Sequence, residues 1–322
     1  MGIKHLNHYI KRNCNKGIEY ITIETLRGKV IVVDTSIYMY KYLEEDLLLE
    51  NFFVLITKFR EYNITPLFIF DGKAHSSKME LLWNRVLKKR NALKEFEKIK
   101  LRLENENFSS DDMERKNLKR KMETCKKYAT RIKDTDIVAL KGLFDALGVY
   151  YFVAEMEADI VCAYFVKKNI AWACMSDDMD MFVYGCKFVL REWNLHKSSG
   201  ILYDRDQIMR ELWVEPQYFS LVLLLLGSDY HQEICKKEHP SIATAFIWYD
   251  EFMKINTSNK LGFYDWLKGT NKISVENANK LETIYNMFVV PEHMEIKDVV
   301  FKNRSINWME LRKLLAPYGF VM

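Results

Sequence analysis

Four apolar segments of this chain end in carboxylates, and this repeated arrangement restricts the fold more than any other feature of the sequence. The segments are residues 29–34, 66–71, 149–154 and 170–177. Continuous apolar runs of this length, bounded by turn residues, predict strands that are buried on both faces, as in a parallel sheet. A fifth strand is predicted at residues 187–192.

Segments with apolar residues at helical spacing alternate with these strands. They are residues 35–61, 134–147 and 159–168. Beyond residue 205 the pattern is mainly helical, with helices predicted at 205–212, 216–226, 241–255, 275–287 and 306–315. The alternation predicts an α/β fold with a mostly parallel central sheet flanked by helices and a helical C-terminal region.

The carboxylates that follow the strands are expected to lie together. They are Asp34, Asp71, Glu155, Glu157, Asp178 and Asp180, and Asp229 follows the apolar run 221–228. Ligands of open α/β sheets bind beyond the carboxyl ends of the strands, so these acids predict one convergent site. For any single acid, a helix N-cap or a turn is an equally good interpretation, but that interpretation is weaker for the whole set.

Carboxylates crowded in this way repel one another unless cations neutralise them. Hard divalent cations prefer oxygen ligands, and two such ions about 4 Å apart form a clamp for phosphoryl transfer. No histidine or cysteine has matching spacing, which favours Mg²⁺ or Mn²⁺ over Zn²⁺. The sequence therefore predicts two Mg²⁺, with Mn²⁺ as a substitute.

The charge of the chain is distributed unevenly. Residues 73–133 carry 19 Lys/Arg and 9 Asp/Glu, a balance of +10, so with a net charge of +4 the rest of the chain carries −6. This insertion has two charged helical halves, 77–105 and 111–133, with a thin apolar stripe. A solvated helical hairpin or coiled coil is one interpretation. Its position directly after Asp71 favours another, a basic arm that holds a phosphodiester backbone.

Composition excludes several classes of protein. An apolar content of 49% and an aromatic content of 14% exclude global disorder. The longest apolar run, residues 219–227, is too short to span a bilayer, and no secretion signal is recognised, so no membrane association is expected. The six cysteines show no Cys-x-x-Cys spacing, which predicts reduced thiols in an intracellular protein.

Five motifs occur in an order that resembles the flap endonuclease superfamily of structure-specific 5′ nucleases, and more narrowly its poxvirus members. They are Val33-Asp34-Thr35-Ser36, Phe70-Asp71-Gly72-Lys73, Ala154-Glu155-Met156-Glu157-Ala158-Asp159, Ser176-Asp177-Asp178-Met179-Asp180 and Leu226-Gly227-Ser228-Asp229-Tyr230. The resemblance implies a nuclease core over residues 1–230 with a helical arch at 73–133. It also implies a helical region over 231–322 with a divergent helix–turn–helix element.

The resemblance also assigns roles to residues. It implies that Asp34, Asp71, Glu155 and Glu157 serve one metal, that Asp178, Asp180 and Asp229 serve the other, and that Asp159 and Asp177 support them. Lys78 and Arg85 match the catalytic arch residues that hold the scissile phosphate. Tyr40 matches an aromatic on which a frayed base stacks, although a core or half-exposed tyrosine is nearly as good an interpretation. Further DNA contacts are predicted at Gly2, Lys73, Lys88, Lys89, Lys236 and Lys237.

The chain departs from the family pattern in two segments that bind partners in other members. Residues 231–240 lack the glycine hairpin of the usual duplex-binding element. The resemblance therefore does not imply that this chain has the monovalent cation site of that element. The chain also ends without the sliding-clamp-binding tail of cellular members. Branched or flapped DNA is the expected partner, with replication or recombination proteins as further candidates, and the oligomeric state is left open.

The predicted activity is two-metal hydrolysis of DNA phosphodiesters by a flap endonuclease and 5′–3′ exonuclease. The poxvirus resemblance implies a role in viral DNA replication, recombination and repair in the host cytoplasm. A dimeric Holliday-junction-resolving member of the superfamily is one alternative, and a nonenzymatic DNA-binding scaffold is another. A haloacid-dehalogenase-like phosphohydrolase is disfavoured, because Asp34-Thr35-Ser36 lacks the second acid two residues on.

Overall fold

The computed structural model describes residues 2–73, 78–105, 113–230, 240–256, 261–294 and 305–318. Two compact units divide the chain. The first, here called the sheet unit, comprises Met1–Thr35, Val54–Ala74 and Val149–Asn303. The second, here called the helical unit, comprises Ser36–Phe53, His75–Gly148 and Arg304–Met322. The predicted DNA contacts Lys236 and Lys237 lie outside the described residues.

The sheet unit is built on one mixed sheet of seven strands. They are β1 (Ile18–Thr22), β2 (Val30–Asp34), β3 (Thr65–Phe70), β4 (Tyr150–Val153), β5 (Ala173–Met175), β6 (Phe188–Asn194) and β7 (Ser199–Asp204). Their order in the sheet is β1-β7-β6-β5-β2-β3-β4. Strands β2 to β6 pair in parallel, whereas β7 pairs antiparallel with both β6 and β1. The predicted α/β fold with a mostly parallel sheet is confirmed.

Helices flank this sheet and form its core with it. Those of the sheet unit are α1 (Leu6–Asn13), α7 (Ala158–Lys167), α8 (Met181–Tyr184), α9 (Arg205–Glu211), α10 (Pro216–Leu224), α11 (Ile242–Ile255), α12 (Phe263–Gly269) and α13 (Val275–Phe288). Aromatic rings dominate the packing of α10 to α12, where Tyr218 contacts Phe252 with ring centroids 5.2 Å apart. Such pairs add to the stabilisation that comes from buried apolar area.

The helical unit contains a charged hairpin and a smaller packed group. Its helices are α4 (Met79–Asn105), α5 (Met113–Ala129), α6 (Asp134–Leu147) and α14 (Trp308–Leu315), together with most of α2 (Thr35–Glu44) and the start of α3 (Leu48–Glu61). Helices α4 and α5 form the hairpin, joined by ion pairs from Arg102 to Glu114 and from Lys121 to Glu95. Helix α5 buries no residue, whereas Leu81 and Ile99 of α4 are buried, so the apolar stripe of the hairpin belongs to α4.

Several predicted boundaries were wrong for local reasons. The pattern over residues 35–61 is interrupted at Asp46, whose φ of 58° is left-handed, so α2 and α3 are separate helices. Strand β4 lies at the edge of the sheet with its residues half-buried or exposed, so the prediction of burial on both faces was wrong there. Of residues 170–177, only Ala173–Met175 form a strand.

The sequence analysis missed strands β1 and β7, and helices α1, α8 and α12. Most residues of β1 are exposed, so the strand has no apolar run that would predict it from the sequence. It is held in the sheet by hydrogen bonds to β7. Within the described ranges, no helix combines the length and the apolar character that crossing a bilayer requires.

Candidate active site

The parallel register brings the predicted acids to one edge of the sheet. Asp34, the last residue of β2, lies opposite Ile69 on β3, and its neighbour Val33 lies opposite Met175 on β5. Phe70 at the end of β3 lies opposite Val153 on β4. Adjacent strands are about 4.8 Å apart, so the ends of β5, β2, β3 and β4 follow one another along this edge in that order. The convergence of all seven acids on one site stays a prediction.

Three of these carboxylates are buried next to one another. The exposed fractions of Asp34, Asp178 and Asp180 are 4%, 5% and 3%. The Ser176 hydroxyl donates to Oδ2 of Asp34 at 3.1 Å, and the hydroxyl oxygen of Ser176 accepts from the Asp178 amide at 3.2 Å. The Asp180 amide donates in turn to Oδ1 of Asp178 at 2.9 Å. The loop after β5 is thereby shaped so that its two acids lie beside Asp34.

Gly2 lies directly against this group of acids. A methyl group on its Cα would overlap Oδ1 of Asp178 and lie 2.5 Å from Oδ1 of Asp180. The φ of Gly2 is 75°, in the left-handed region that favours glycine. The prediction of Gly2 as a DNA contact is untested, but its position shows that the backbone at this end of the chain approaches two of the acids closely.

Asp71 lies on the other side of Asp34, at the beginning of α7. Its Oδ1 accepts a hydrogen bond of 2.8 Å from the amide of Ala158, the first residue of that helix. The adjoining backbone runs beside the Glu155 segment, with the Lys73 amide donating to the Glu155 carbonyl at 3.1 Å. A side chain on Gly72 would overlap the Ala154 carbonyl, so glycine permits this approach. The positive end of the helix dipole favours a carboxylate at this position.

The remaining three acids are more accessible. Glu155 is exposed, and both Glu157 and Asp229 are half-buried. Oε2 of Glu157 accepts a hydrogen bond of 2.5 Å from the hydroxyl of Tyr230. Burial, followed by the charge of Asp159 and the proximity of Tyr230, raises the pKa of Tyr184 well above its ordinary value. The phenol of Tyr184, beside Glu157 and Asp159, thus stays protonated to a higher pH than that of an exposed tyrosine.

The donor chemistry of this edge fits a hard divalent cation. Three carboxylates are buried beside one another, and the backbone of Gly2 approaches two of them, Asp178 and Asp180, closely. All seven predicted ligands are carboxylates, which Mg²⁺ and Mn²⁺ prefer. Within the described residues, however, no three acidic, histidine or cysteine side chains are gathered tightly enough to enclose an ion. The type of ligand atom and the burial of three acids thus fit a divalent cation. The division of the seven acids between two metals remains a prediction.

The predicted arch residues belong to the helical unit. Lys78 comes immediately before α4 and is half-buried, as is Arg85 within α4, whereas Lys88 is exposed. Lys89 donates a hydrogen bond of 3.1 Å to the hydroxyl of Tyr40, and its ammonium lies 4.2 Å from the centroid of that ring. Lys73, which belongs to the sheet unit, is exposed. The roles of these residues with DNA remain predictions.

Two residues of the site were missed at the sequence level. Ser176 links Asp34 to Asp178, and Tyr230 supports Glu157. Each stands in one of the five motifs, within two residues of a predicted acid, but the motifs alone assign it no role. Asp177 has a different partner, because its Oδ1 accepts from the Glu192 amide at 2.6 Å. It anchors the loop after β5 to β6.

Two protein-family models match the segments of the chain that contain the predicted acids. The XPG N-terminal domain matches residues 1–92, and the XPG I-region matches residues 148–229. The first match includes Asp34 and Asp71, and the second includes the five other acids. Together the two matches cover more than half of the chain.

Curated relatives agree with this result. The chain is 25% identical to a probable RAD2-like endonuclease of Invertebrate iridescent virus 6, over 96% of this chain and 85% of that protein. It is 26% identical to flap endonuclease 1 of the yeast Meyerozyma guilliermondii, over 78% of this chain and 71% of that protein. The similarity therefore extends across viral and cellular proteins.

Solved structures show the same fold. The catalytic core of Rad2 in complex with a DNA substrate superposes with a TM-score of 0.67 at 20% identity, covering 99% of this chain and 96% of that chain. Flap endonuclease-1 from Methanococcus jannaschii gives 0.62 at 19% identity, covering 98% and 93%. Human GEN1 in complex with Holliday junction DNA gives 0.65 at 16% identity, covering 99% and 74%. At these low sequence identities, the structural similarity establishes that the chain shares their fold.

Proposed function

The chain belongs to the flap endonuclease superfamily of structure-specific nucleases, and on this premise we propose that it hydrolyses DNA phosphodiesters at flaps and 5′ ends with the help of two Mg²⁺. Mn²⁺ would substitute for Mg²⁺, since both accept oxygen ligands. The activity would combine endonucleolytic flap removal with 5′–3′ exonucleolytic trimming.

One observation carries this proposal. Asp34, Asp178 and Asp180 are almost fully buried beside one another at the carboxyl edge of the sheet. Burying mutually repelling carboxylates is costly, so a protein that only bound DNA would gain nothing from this arrangement. A site that binds cations and stabilises charge on a phosphate accounts for it. A nonenzymatic scaffold is therefore the weaker interpretation.

The chain's own residues would perform three tasks at this edge. Asp34, Asp71, Glu155, Glu157, Asp178, Asp180 and Asp229 would hold the cations, directly or through water. Ser176 and the Asp180 amide would keep the buried acids in position, and Gly2 would leave room for the sugar–phosphate backbone. When bound, the cations would supply Lewis-acid activation of water and stabilise charge on the phosphate.

Basic residues of the chain would act on the phosphates of the bound DNA. Lys78 and Arg85 would supply positive charge toward the scissile phosphate, which stabilises the transition state more than the ground state. Lys73, Lys88 and Lys89 would bind phosphates without reading sequence, and Lys236 and Lys237 are proposed to do the same on the duplex. Specificity would then come from the shape of the DNA.

A cleavage assay with a panel of DNA structures tests the proposal. Flap, nicked-duplex and static four-way-junction DNA, each labelled at a 5′ end, would be incubated with the protein in Mg²⁺, in Mn²⁺ and in EDTA. We expect metal-dependent cutting of the flap and trimming of 5′ ends. Symmetric cutting of the junction by a dimer would instead support the Holliday-junction-resolving alternative. Binding without cutting in either metal would contradict a nuclease function.

The viral relative supports a further part of the proposal. Its match extends over nearly the whole chain, so we propose that this protein also serves viral DNA replication, recombination and repair. On the resemblance to poxvirus members, the proposed place of action is the host cytoplasm. Fluorescence microscopy of the tagged protein in infected cells tests this assignment, since signal confined to the nucleus would contradict it.

A further inference from the structure

The carboxyl end of strand β6 is irregular. Its pairing with β7 shifts register between Arg191 and Asn194, which marks a β-bulge, and Glu192 inside the bulge has a left-handed φ of 53°. A non-glycine residue is strained in this conformation. Bulges next to active sites commonly redirect a side chain or a backbone group. Here the bulge directs the Glu192 amide to Oδ1 of Asp177, in the loop after β5.

Arg191, the first residue of this bulge, is buried at the edge of the sheet that carries the acids. Its exposed fraction is 6%. Within the described residues, the other charged side chains that are buried are Asp34, Asp178 and Asp180. The Ser176 amide donates to the carbonyl of Leu190, the residue before Arg191, so β6 lies directly beside the loop after β5. Burying a guanidinium is costly unless its donors are paired, so this position needs a reason.

The guanidinium of Arg191 is directed at the backbone of that loop. Its Nη2 donates to the carbonyl of Asp177 at 2.7 Å, whereas Nε and Nη1 have no hydrogen-bond partner in the described part of the chain. The guanidinium also lies 5.5 Å from the centroid of the Tyr203 ring. Hydrogen bonds from charged donors are stronger than those from neutral ones, so Arg191 holds the residue directly before Asp178 firmly.

The bulge holds Asp177 at a second point. The Glu192 amide donates to its carboxylate at 2.6 Å, while Arg191 donates to its carbonyl. Asp178 follows directly in the chain, and its Oδ1 accepts from the Asp180 amide. A shift of Asp177 would therefore move both of the buried acids that follow it.

The same bulge is tied to helix α1. Oε1 of Glu192 accepts hydrogen bonds from Lys11 at 2.6 Å and from Asn7 at 3.4 Å. Helix α1 comes shortly after Gly2, whose backbone approaches Asp178 closely. The bulge is thus connected to two segments that border the acids, namely the loop after β5 and the N-terminal segment.

We propose that Arg191 is a positioning residue of the candidate active site, which fixes the Asp177 carbonyl and thereby places Asp178 and Asp180 for cation binding. The inference rests on the proposed function, because it concerns the same acids. Arg191 acts through the backbone of the loop, since its side chain is buried. Its own positive charge repels a cation, so any gain in cation affinity that Arg191 provides comes from geometry.

Amide hydrogen exchange, measured by NMR in EDTA, tests the position of the loop without any metal. The Asp178 and Asp180 amides both donate to side chains of the loop, which protects them from exchange. Arg191→Met should speed their exchange about tenfold, because the loop opens more readily without its anchor. The Thr244 amide, which donates to Ser241, should exchange as in the wild type. Unchanged exchange at both loop amides would overturn the proposal.

Calorimetric titration with Mn²⁺, without DNA, measures the consequence for the cation. Loss of a group that orients metal ligands typically costs about 10–100-fold in metal affinity, so Arg191→Met should bind Mn²⁺ at least about tenfold more weakly than the wild type. Arg191→Lys keeps a donor for the carbonyl and should recover part of this loss. The control is Arg210→Met, an exposed arginine of α9, which should bind as the wild type does. Equal or tighter binding by Arg191→Met would contradict the proposal.

The two measurements separate this inference from the proposed function. Mn²⁺ binding that Arg191→Met leaves unaltered would refute the positioning role alone. Absence of Mn²⁺ binding by the wild type would contradict the proposed function, and hydrogen exchange would then still decide whether Arg191 holds the loop. A purely structural role would lower the melting temperature of Arg191→Met without changing the Mn²⁺ affinity of the folded protein, so melting curves accompany each titration.

Discussion

The hydroxyl of Ser176 donates a hydrogen bond to Oδ2 of Asp34 and accepts one from the amide of Asp178. One buried side chain thus connects the acid that ends β2 with the acids that follow β5. Ser176 is 0% exposed, so no water replaces it without rearrangement. This connection holds two of the buried carboxylates of the site in a fixed relation.

Ser176→Ala should lower activity without unfolding the protein. Loss of hydrogen bonds to a charged group costs about 1.5–3 kcal/mol, which corresponds to roughly ten- to hundredfold in rate if the acids lose their alignment. Single-turnover cleavage of a flap in Mg²⁺ measures the effect, and Ser241→Ala, at the start of α11, is the control. A rate equal to that of the wild type would show that Ser176 has no part in positioning the acids.

Gly2→Ala should reduce cleavage because the added methyl group would overlap the carboxylate of Asp178. To relieve that overlap, either the N-terminal segment or the Asp178 carboxylate must move, and displacements near 1 Å cost about 10²-fold in rate. Gly28→Ala is the matched control, since its φ of 71° is also left-handed and nothing lies within 4 Å of its added methyl group. Equal cleavage rates for the two variants would argue against a role for Gly2 at the site.

Replacing Lys78 and Arg85 together with Ala should cost about 3–4 kcal/mol of transition-state stabilisation, by analogy with the loss of a preorganised charge donor. The single-turnover rate at saturating protein separates this loss from weaker binding. The control is Lys94→Ala with Lys98→Ala, two exposed cations of the same helix. If only DNA affinity and its salt dependence changed, the two residues would bind phosphate without taking part in catalysis.

Cys162 should resist alkylation in the native protein. Complete burial raises the pKa of its thiol to about 12, so at pH 8 it is protonated and unreactive. The unfolded thiol ionises near pH 8.5, so above that pH only the unfolded state gains the thiolate and folding stability should fall. Mass spectrometry after iodoacetamide treatment should find label on the partly exposed Cys125 and none on Cys162. Equal labelling of the two would contradict this burial.

The positions of Asp34 and Asp71 at the ends of strands could be predicted because the signal for each lies in a short stretch of sequence. A buried strand followed by a carboxylate is visible in residues 29–34 and 66–71, and parallel pairing then brings Asp34 and Asp71 to the same edge. The hydrogen-bonding role of Ser176 could not be predicted, since its partner Asp34 lies 142 residues away in the chain. The approach of Gly2 to Asp178 is likewise a long-range contact that no local pattern encodes.

The sheet was predicted incompletely for a related reason. Strands β2 and β3 are buried along their length and carry a strong apolar signal. Strand β1 is an edge strand with exposed residues, and its register with β7 defines it better than its composition does.

The most direct test of the central claim is to compare cleavage and DNA binding by Asp178→Ala and the wild type on the same 5′-labelled flap. The control is Asp265→Asn, an exposed acid on α12 that pairs with Lys268. If Asp178 belongs to the catalytic centre, its loss should lower the Mg²⁺-dependent rate by at least about 10²–10³-fold while flap affinity stays within a few-fold of the wild type. Cleavage at the wild-type rate by Asp178→Ala would contradict the assignment of these acids as the active site.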